Sequence, residues 1–215
     1  MEHLKMLIGV LSCHRYASRR EACLETWADV RHRPDVDLVF VLGDGPTTGP
    51  VRDGCLLRCP CPDDYGNLSL KTRWLCLWAI TNYRFDFLFK CDDDTYVHLD
   101  RLLGCGAQGD YVGGDIPGHI YPHASGGAGY RLTPRAAIQV GAYLTTPASY
   151  EDWLVWQVLT SAGIPLRSDS RFNYNCERPP AKDNDQITCH WCSEQRMREI
   201  HEGFRGADRV PSPRD

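Results

Sequence analysis

Long apolar runs are missing from this chain. Nothing in its 215 residues approaches the roughly 20 consecutive apolar positions that span a bilayer. Residues 7–11, the first apolar stretch, are too short for the core of a secretory signal, and no small-residue cleavage site follows them. Blocks of like charge are missing too. The 24 lysines and arginines are dispersed among 28 acids, for a formal net charge of −4, which argues against nucleic acid as the main partner. No G-K-[ST] sequence is present, so a P-loop is excluded. Internal repeats and linker-like segments are also absent. The reading is one domain over residues 1–204, then a polar tail, 205–215, expected to be flexible because it carries Pro211 and Pro213 and little apolar surface. An apolar content of 42% suffices for a sizeable core in a chain of this length.

Cysteine, by contrast, is abundant: eleven, an odd number. Cys13, Cys76 and Cys91 lie within apolar or helical patterns, where a small buried thiol is ordinary. Cys55, Cys59 and Cys61 gather near Pro60 and Pro62, a better setting for disulfides or reactive thiols. Without a targeting segment the thiols are expected to be reduced. Cys189-His190-Trp191-Cys192 hints at zinc, with the 55–61 cysteines as further ligands. A structural zinc site normally shows two tidy ligand pairs, and the second pair here is irregular.

Buried strands are predicted over residues 4–12, 36–43 and from Phe85 onward, with shorter strands at 110–115 and 186–190. Helices are predicted at 18–30, 69–83, 97–105, 133–143, 151–162 and 193–204, and surface loops at 43–64 and 170–185. Near-continuous apolar strands alternating with helices imply an α/β fold: a mostly parallel sheet with helices on both faces.

The strand Phe85-Asp86-Phe87-Leu88-Phe89 runs through Lys90-Cys91 into Asp92-Asp93-Asp94. Three adjacent carboxylates at a strand's carboxyl end, where α/β sheets bind ligands, call for a hard divalent cation and a phosphate. Asp94 is the candidate direct ligand; Asp92 and Asp93 are candidates for ribose or metal-bound water. A phosphatase with a D-x-D-x-T nucleophile motif is a rival, disfavoured because Tyr96 stands where threonine is required. Ser125-Gly126-Gly127-Ala128-Gly129-Tyr130 lets the backbone approach a ligand closely. Glu151-Asp152 opens a helix, where acids suit the dipole. The functional alternative is a general base, which needs one carboxylate free of the metal. Lys71, on the helix before the triplet strand, either reaches the site or forms a structural salt bridge.

Taken in order, these motifs resemble glycosyltransferase family 31, the β-1,3-galactosyl-, N-acetylglucosaminyl- and fringe-type transferases. The segment from Arg19-Arg20 to Thr26-Trp27 resembles the family's R-R-x-x-x-R-x-T-W, with Leu24 or Glu25 in place of the inner arginine. Asp64-Tyr65-Gly66-Asn67-Leu68-Ser69-Leu70-Lys71-Thr72 resembles D-x-Y-x-N-L-T-L-K-T. Lys90-Cys91-Asp92-Asp93-Asp94-Thr95-Tyr96-Val97 resembles K-x-D-D-D-x-F-V. Tyr121-Pro122 with residues 125–130 resembles the Y-P-x-Y-x-x-G-G-G-Y loop. Glu151-Asp152-Trp153 stands for E-D-V, and His190 followed by Met197 resembles the family's H-x-x-x-x-x-x-M ending.

The resemblance implies a GT-A type, Rossmann-like fold and an inverting, metal-dependent transfer from a UDP-sugar to a glycan or glycoconjugate acceptor. In that reading Asp94 and His190 ligate Mn²⁺ (or Mg²⁺), Asp92, Asp93 and Arg20 hold the nucleotide, Gly126 and Gly127 shape the pocket, and Asp152 is the base. Glu151 and Lys71 are secondary candidates. The alternative class is a non-catalytic glycan- or nucleotide-sugar-binding module on the same scaffold. Because the chain starts almost at its first strand, the expectation is a cytoplasmic microbial or viral protein, or a Golgi-lumenal domain if it is an excised piece.

Overall fold

The two strongest apolar runs become the centre of the sheet. In the computed structural model, which describes residues 3–205, the elements in chain order are β1 (His3–Leu11), α1 (Ala17–Thr26), β2 (Val36–Gly43), β3 (Val51–Asp53), β4 (Leu56–Cys59), α2 (Leu68–Asn82), β5 (Arg84–Asp92), β6 (Tyr96–Val97), α3 (Leu99–Leu103), β7 (Tyr111–Gly113), β8 (Tyr130–Leu132), α4 (Pro134–Tyr143), α5 (Glu151–Ser161), β9 (Leu166–Ser168), β10 (Phe172–Asn173), β11 (Thr188–Cys189) and α6 (Glu194–Arg205). From residue 206 the tail expected to be flexible lies outside the described residues.

An eight-stranded sheet has the order β3-β4-β2-β1-β5-β8-β7-β9. β4, β2, β1 and β5 are mutually parallel, and β8 runs antiparallel to both β5 and β7. A small second sheet, β10-β11-β6, stands beside it. Side chains alternate faces along each strand. Leu7, Leu11, Val39 and Val41 pack towards α2, α4 and α5. Met6, Ile8, Val10, Leu38, Phe40 and Leu42 pack towards α1, α3 and α6, meeting Cys23, Leu102 and Met197. Each such fully buried aliphatic side chain contributes about 1.5–3 kcal/mol. The expected α/β architecture, with helices on both faces, is therefore present.

Two expectations are corrected. The 43–64 segment is not only a surface loop, because β3 and β4 pair within it and β4 extends the sheet beside β2. Four residues, two of them buried, are too short a signal among so many glycines and prolines. The thiols are also not all free: Cys176 and Cys189 form a disulfide. Among the described residues no helix is long and apolar enough to cross a membrane.

For the site, the register between β1 and β5 matters most. Leu11 lies opposite Asp92, and the Asp93 amide donates to the Leu11 carbonyl at 3.0 Å. The acidic triplet thus begins where the central strands end.

Candidate functional site

Beyond the ends of β1 and β5 a cleft opens, lined by Ser12, Tyr16, Arg19, Asp63, Lys71 and the three carboxylates of the triplet. Asp93 is buried. Ser12 donates to its Oδ2 at 2.7 Å and Arg19 Nη1 to its Oδ1 at 3.1 Å. Burial pushes the Asp93 carboxyl up to about 6, against those two hydrogen bonds. Asp94 moves the other way. Burial again opposes ionisation, but the hydrogen bond and charge of His190, with Arg19 behind, hold it below its ordinary range. His190 Nε2 lies 3.2 Å from Asp94 Oδ1, and Arg19 Nη1 lies 3.3 Å from Asp94 Oδ2.

Asp92, Asp94 and His190 bring one ligand atom each within 4.8 Å of one another. Two carboxylate oxygens and an imidazole nitrogen are a donor set for a hard-to-borderline divalent ion. Neighbouring donors about 2.1 Å from an octahedral ion stand about 3 Å apart, close to the Asp94–His190 spacing. The residues present therefore fit Mn²⁺ or Mg²⁺.

Glycine is required beside this cluster for lack of space. A Cβ on Gly127 would fall 2.0 to 2.6 Å from atoms of the His190 imidazole. A Cβ on Gly126 would fall 2.6 Å from Glu151 Oε2 and 3.2 Å from Asp152 Cβ. The Gly127 carbonyl accepts from the Asp92 amide at 3.2 Å and from Thr95 Oγ1 at 2.7 Å, so loop and triplet are tied.

At the first turn of α5, Asp152 Oδ2 accepts from the Gly126 amide at 3.1 Å and Oδ1 from the Trp153 amide at 2.9 Å. Asp152 and His190 thus flank the Gly126-Gly127 dipeptide, one against each glycine. Neighbouring Glu151 points the other way, into the core. Lys90 Nζ donates to Glu151 Oε2 at 3.0 Å, to Asp92 Oδ1 at 3.1 Å and to the Gly126 carbonyl at 3.0 Å, while Tyr130 donates its hydroxyl to Glu151. Burial works against the Lys90 charge, but Asp92 and Glu151 outweigh it and hold the ammonium above its ordinary range. Burial likewise raises Glu151, with Lys90 opposing.

The structure brings Asp92, Asp93, Asp94, His190, Gly126, Gly127 and Asp152 together. Two other expectations change, and that of a structural salt bridge for Lys71 is met. Arg20 turns away, donating to Ser12 Oγ at 3.0 Å and to the Cys13 carbonyl, and it is Arg19 that lines the cleft. Glu151 is a buried anchor for the glycine loop rather than a group open to a ligand. Lys71 lines the cleft but is committed to a salt bridge, 2.6 Å from Asp63 Oδ1 and 2.8 Å from the Ser12 carbonyl. Arg19, Tyr16 and the Lys90 bridge escape sequence reading. Only the K-x-D-D-D spacing of Lys90 carried a signal, since side chains two apart on a strand share a face.

Residues 18–114 match the protein family described as Galactosyltransferase. That segment, a little under half of the chain, is similar to the galactosyltransferase family. It runs from α1 to β7 and so takes in Arg19 and the triplet, while Gly126, Gly127, Asp152 and His190 lie beyond it. Among curated relatives, beta-1,3-galactosyltransferase 6 of Mus musculus is 31% identical over 111 residues, 46% of this chain and 34% of that protein. N-acetyllactosaminide beta-1,3-N-acetylglucosaminyltransferase 4 of Homo sapiens is 27% identical over 146 residues, 60% of this chain and 38% of that protein. The matched region thus spans little more than a third of either relative. Among solved structures, the glycosyltransferase GlyE of Streptococcus pneumoniae TIGR4 superposes with a TM-score of 0.55 at 10% identity, covering 100% of this chain and 66% of that one. That likeness bears out the GT-A type fold, and the galactosyltransferase-family match bears out the motif resemblance.

Proposed function

We propose that this chain is an inverting, metal-dependent transferase that moves a hexose or N-acetylhexosamine from a UDP-sugar to a sugar hydroxyl, forming a β-1,3 linkage. One observation carries the reading: the Asp92–Asp94–His190 donor set and the Asp152 carboxylate flank a single glycine dipeptide. That arrangement suits a displacement in which leaving group and base act from opposite sides of one sugar.

Asp92, Asp94 and His190 would hold Mn²⁺ or Mg²⁺, which when bound supplies positive charge against the departing diphosphate. Arg19, partly exposed and shared between two carboxylates, is the cation of the cleft best placed to turn towards phosphate oxygens. Tyr16, under the Arg19 guanidinium with 4.2 Å from its Cζ to the ring centroid, offers an aromatic face for the nucleobase. Gly126 and Gly127 keep the floor low enough for the donor sugar. Asp152 accepts the proton of the acceptor hydroxyl as that oxygen attacks the anomeric carbon. Trp153, next to Asp152 in sequence, and Tyr121 line an open groove where a pyranose face can lie.

Calorimetry of UDP with Mn²⁺, together with a turnover screen across UDP-sugars, tests the reading; absence of both binding and donor turnover ends it. Asp152→Asn is expected to lower kcat by about 10²–10⁴-fold while the Mn²⁺-dependent affinity for UDP is unchanged. Lost UDP affinity in that variant would move Asp152 from the acceptor side to the donor side. Normal turnover would remove it from the reaction and favour a pure binding role for this surface.

A further inference from the structure

Three sulfurs gather behind the cleft, and nothing in the proposed transfer uses them. The sequence suggested Cys55, Cys59 and Cys61 as possible companions of Cys189 and Cys192. The structure selects a different partner. Cys59 and Cys61 are packed on the α2 side of the sheet, whereas Cys189 and Cys192 are buried on the α1–α6 side. Cys176 reaches that side from the segment after β10. It is disulfide-bonded to Cys189, with their Cα atoms 5.1 Å apart. The Cys192 thiol touches both members of the bond, its Sγ 3.3 Å from that of Cys176 and 3.4 Å from that of Cys189.

The backbone is built to bring this third sulfur home. Trp191 has φ of 62°, the only non-glycine residue at positive φ among the described residues. That left-handed turn, which L residues rarely adopt, folds Cys192 back beneath Cys189. The same turn holds the candidate ligand His190 between the two cysteines, and the Cys192 amide donates to the Asp94 carbonyl at 2.8 Å. Tetrahedral metal–thiolate bonds of about 2.3 Å separate sulfurs by about 3.8 Å. Cys192 is therefore within about half an ångström of a ligand position relative to both neighbours.

We propose that Cys176, Cys189 and Cys192 form a second metal site, a three-thiolate seat for a soft cation such as Zn²⁺, back to back with the carboxylate–imidazole cluster and in exchange with the Cys176–Cys189 disulfide. The interconversion balances with a dithiol as reductant. Its two S–H groups close into a ring disulfide, its electron pair cleaves the Cys176–Cys189 bond, and each freed sulfur takes one proton. Zn²⁺ then displaces three thiol protons to solvent and forms three S–Zn bonds, with water in the fourth place beside half-buried Cys176. In the oxidised form the disulfide clamps the turn that carries His190; in the reduced form the metal does so. This inference does not depend on the transferase reading.

The test uses Co²⁺ as a spectroscopic probe on the full chain, reduced with dithiothreitol and freed of reductant and metal under argon. One equivalent is expected to give an intense thiolate-to-cobalt charge-transfer band in the near ultraviolet, which Zn²⁺ then abolishes by displacement. Asp94→Ala, which dismantles the other cluster, retains the band, and Cys55→Ser retains it. Cys192→Ser and Cys176→Ser lose it while their circular dichroism stays native. Alkylation of the reduced wild type with and without Zn²⁺, read by mass spectrometry, checks the set without mutation: Cys176, Cys189 and Cys192 are the thiols whose modification Zn²⁺ slows. A reduced wild type without the band overturns the proposal. So does a band that survives Cys192→Ser, or Zn²⁺-dependent protection of Cys55, Cys59 and Cys61 in place of the predicted trio.

Discussion

In residues 3–97 the main strands β1, β2 and β5 are nine, eight and nine residues long, whereas among the described residues after 97 no strand exceeds three. The first region is held by continuous apolar burial and delivers the carboxylates of the cleft as the ends of rigid strands. The second delivers His190, the glycine dipeptide and Asp152, and it is held by local devices. Thr133 caps α4 by accepting from the Ala136 amide, two glycines admit side chains that no other residue would, and three sulfurs pin one turn. The contrast teaches that the cleft's strength comes from one region and its shape from the other. A few buried charges join the two.

The sharpest way to break that division is to remove the joint. Lys90→Met leaves Asp92 and Glu151 facing each other without their shared cation, and removing one partner of a buried pair costs about 3–5 kcal/mol. Urea denaturation is expected to show a loss of that size, and a loss below 1 kcal/mol would mean that the two regions are held independently. Next is the joint within the first region. Asp63→Asn strips Lys71 of its charge partner, at about 1.5–3 kcal/mol for a hydrogen bond to a charged group.

This second loss carries a pH signature. Burial opposes ionisation of Asp63, but Lys71 and the amides of His14 and Gly43 hold its carboxyl below the ordinary range. A depressed folded-state value means that the contribution is present above the unfolded value of about 4 and disappears as pH falls through the folded one. The gap between wild type and Asp63→Asn is therefore expected to close on acidification below about pH 4. Glu151, raised by burial, has the opposite sign, so Glu151→Gln is not expected to flatten that acid limb.

Shape is tested by Gly127→Ala, whose added methyl overlaps the His190 ring. Overpacking of about 1–3 kcal/mol is expected to displace the imidazole and weaken Mn²⁺-dependent UDP binding by about tenfold. Unchanged binding would detach His190 from the metal set. The smallest effect belongs to the exposed contact between α1 and α6. Arg198→Ala removes a 2.8 Å pair with Glu25, worth less than about 0.5 kcal/mol. A larger change there would show that the helices, and not Lys90, carry the coupling.

How much was legible follows the same line. β1, β2 and β5 could be read because strands buried on both faces spell continuous apolar runs, and the triplet stood out against that background. β4 could not, because four residues in a proline-rich stretch carry too little pattern. Neither could the choice between Arg19 and Arg20. Adjacent residues on a helix point about 100° apart, and only the packing of α1 decides which one meets the cleft. Asp152 and Glu151 present the same difficulty at the start of α5: one faces the glycine loop from the open side and the other lies beneath it. The sulfur trio was hidden because Cys176 lies 13 residues from Cys189, in a loop with no periodicity of its own.

One shared acceptor has a mechanical consequence. Since the Gly127 oxygen receives both the Asp92 amide and the Thr95 hydroxyl, any movement of the glycine loop must break hydrogen bonds to the strand end that carries the acidic triplet. Arg15 and Tyr65, exposed residues of the same cleft, lie outside that seam, and substitutions there leave it intact.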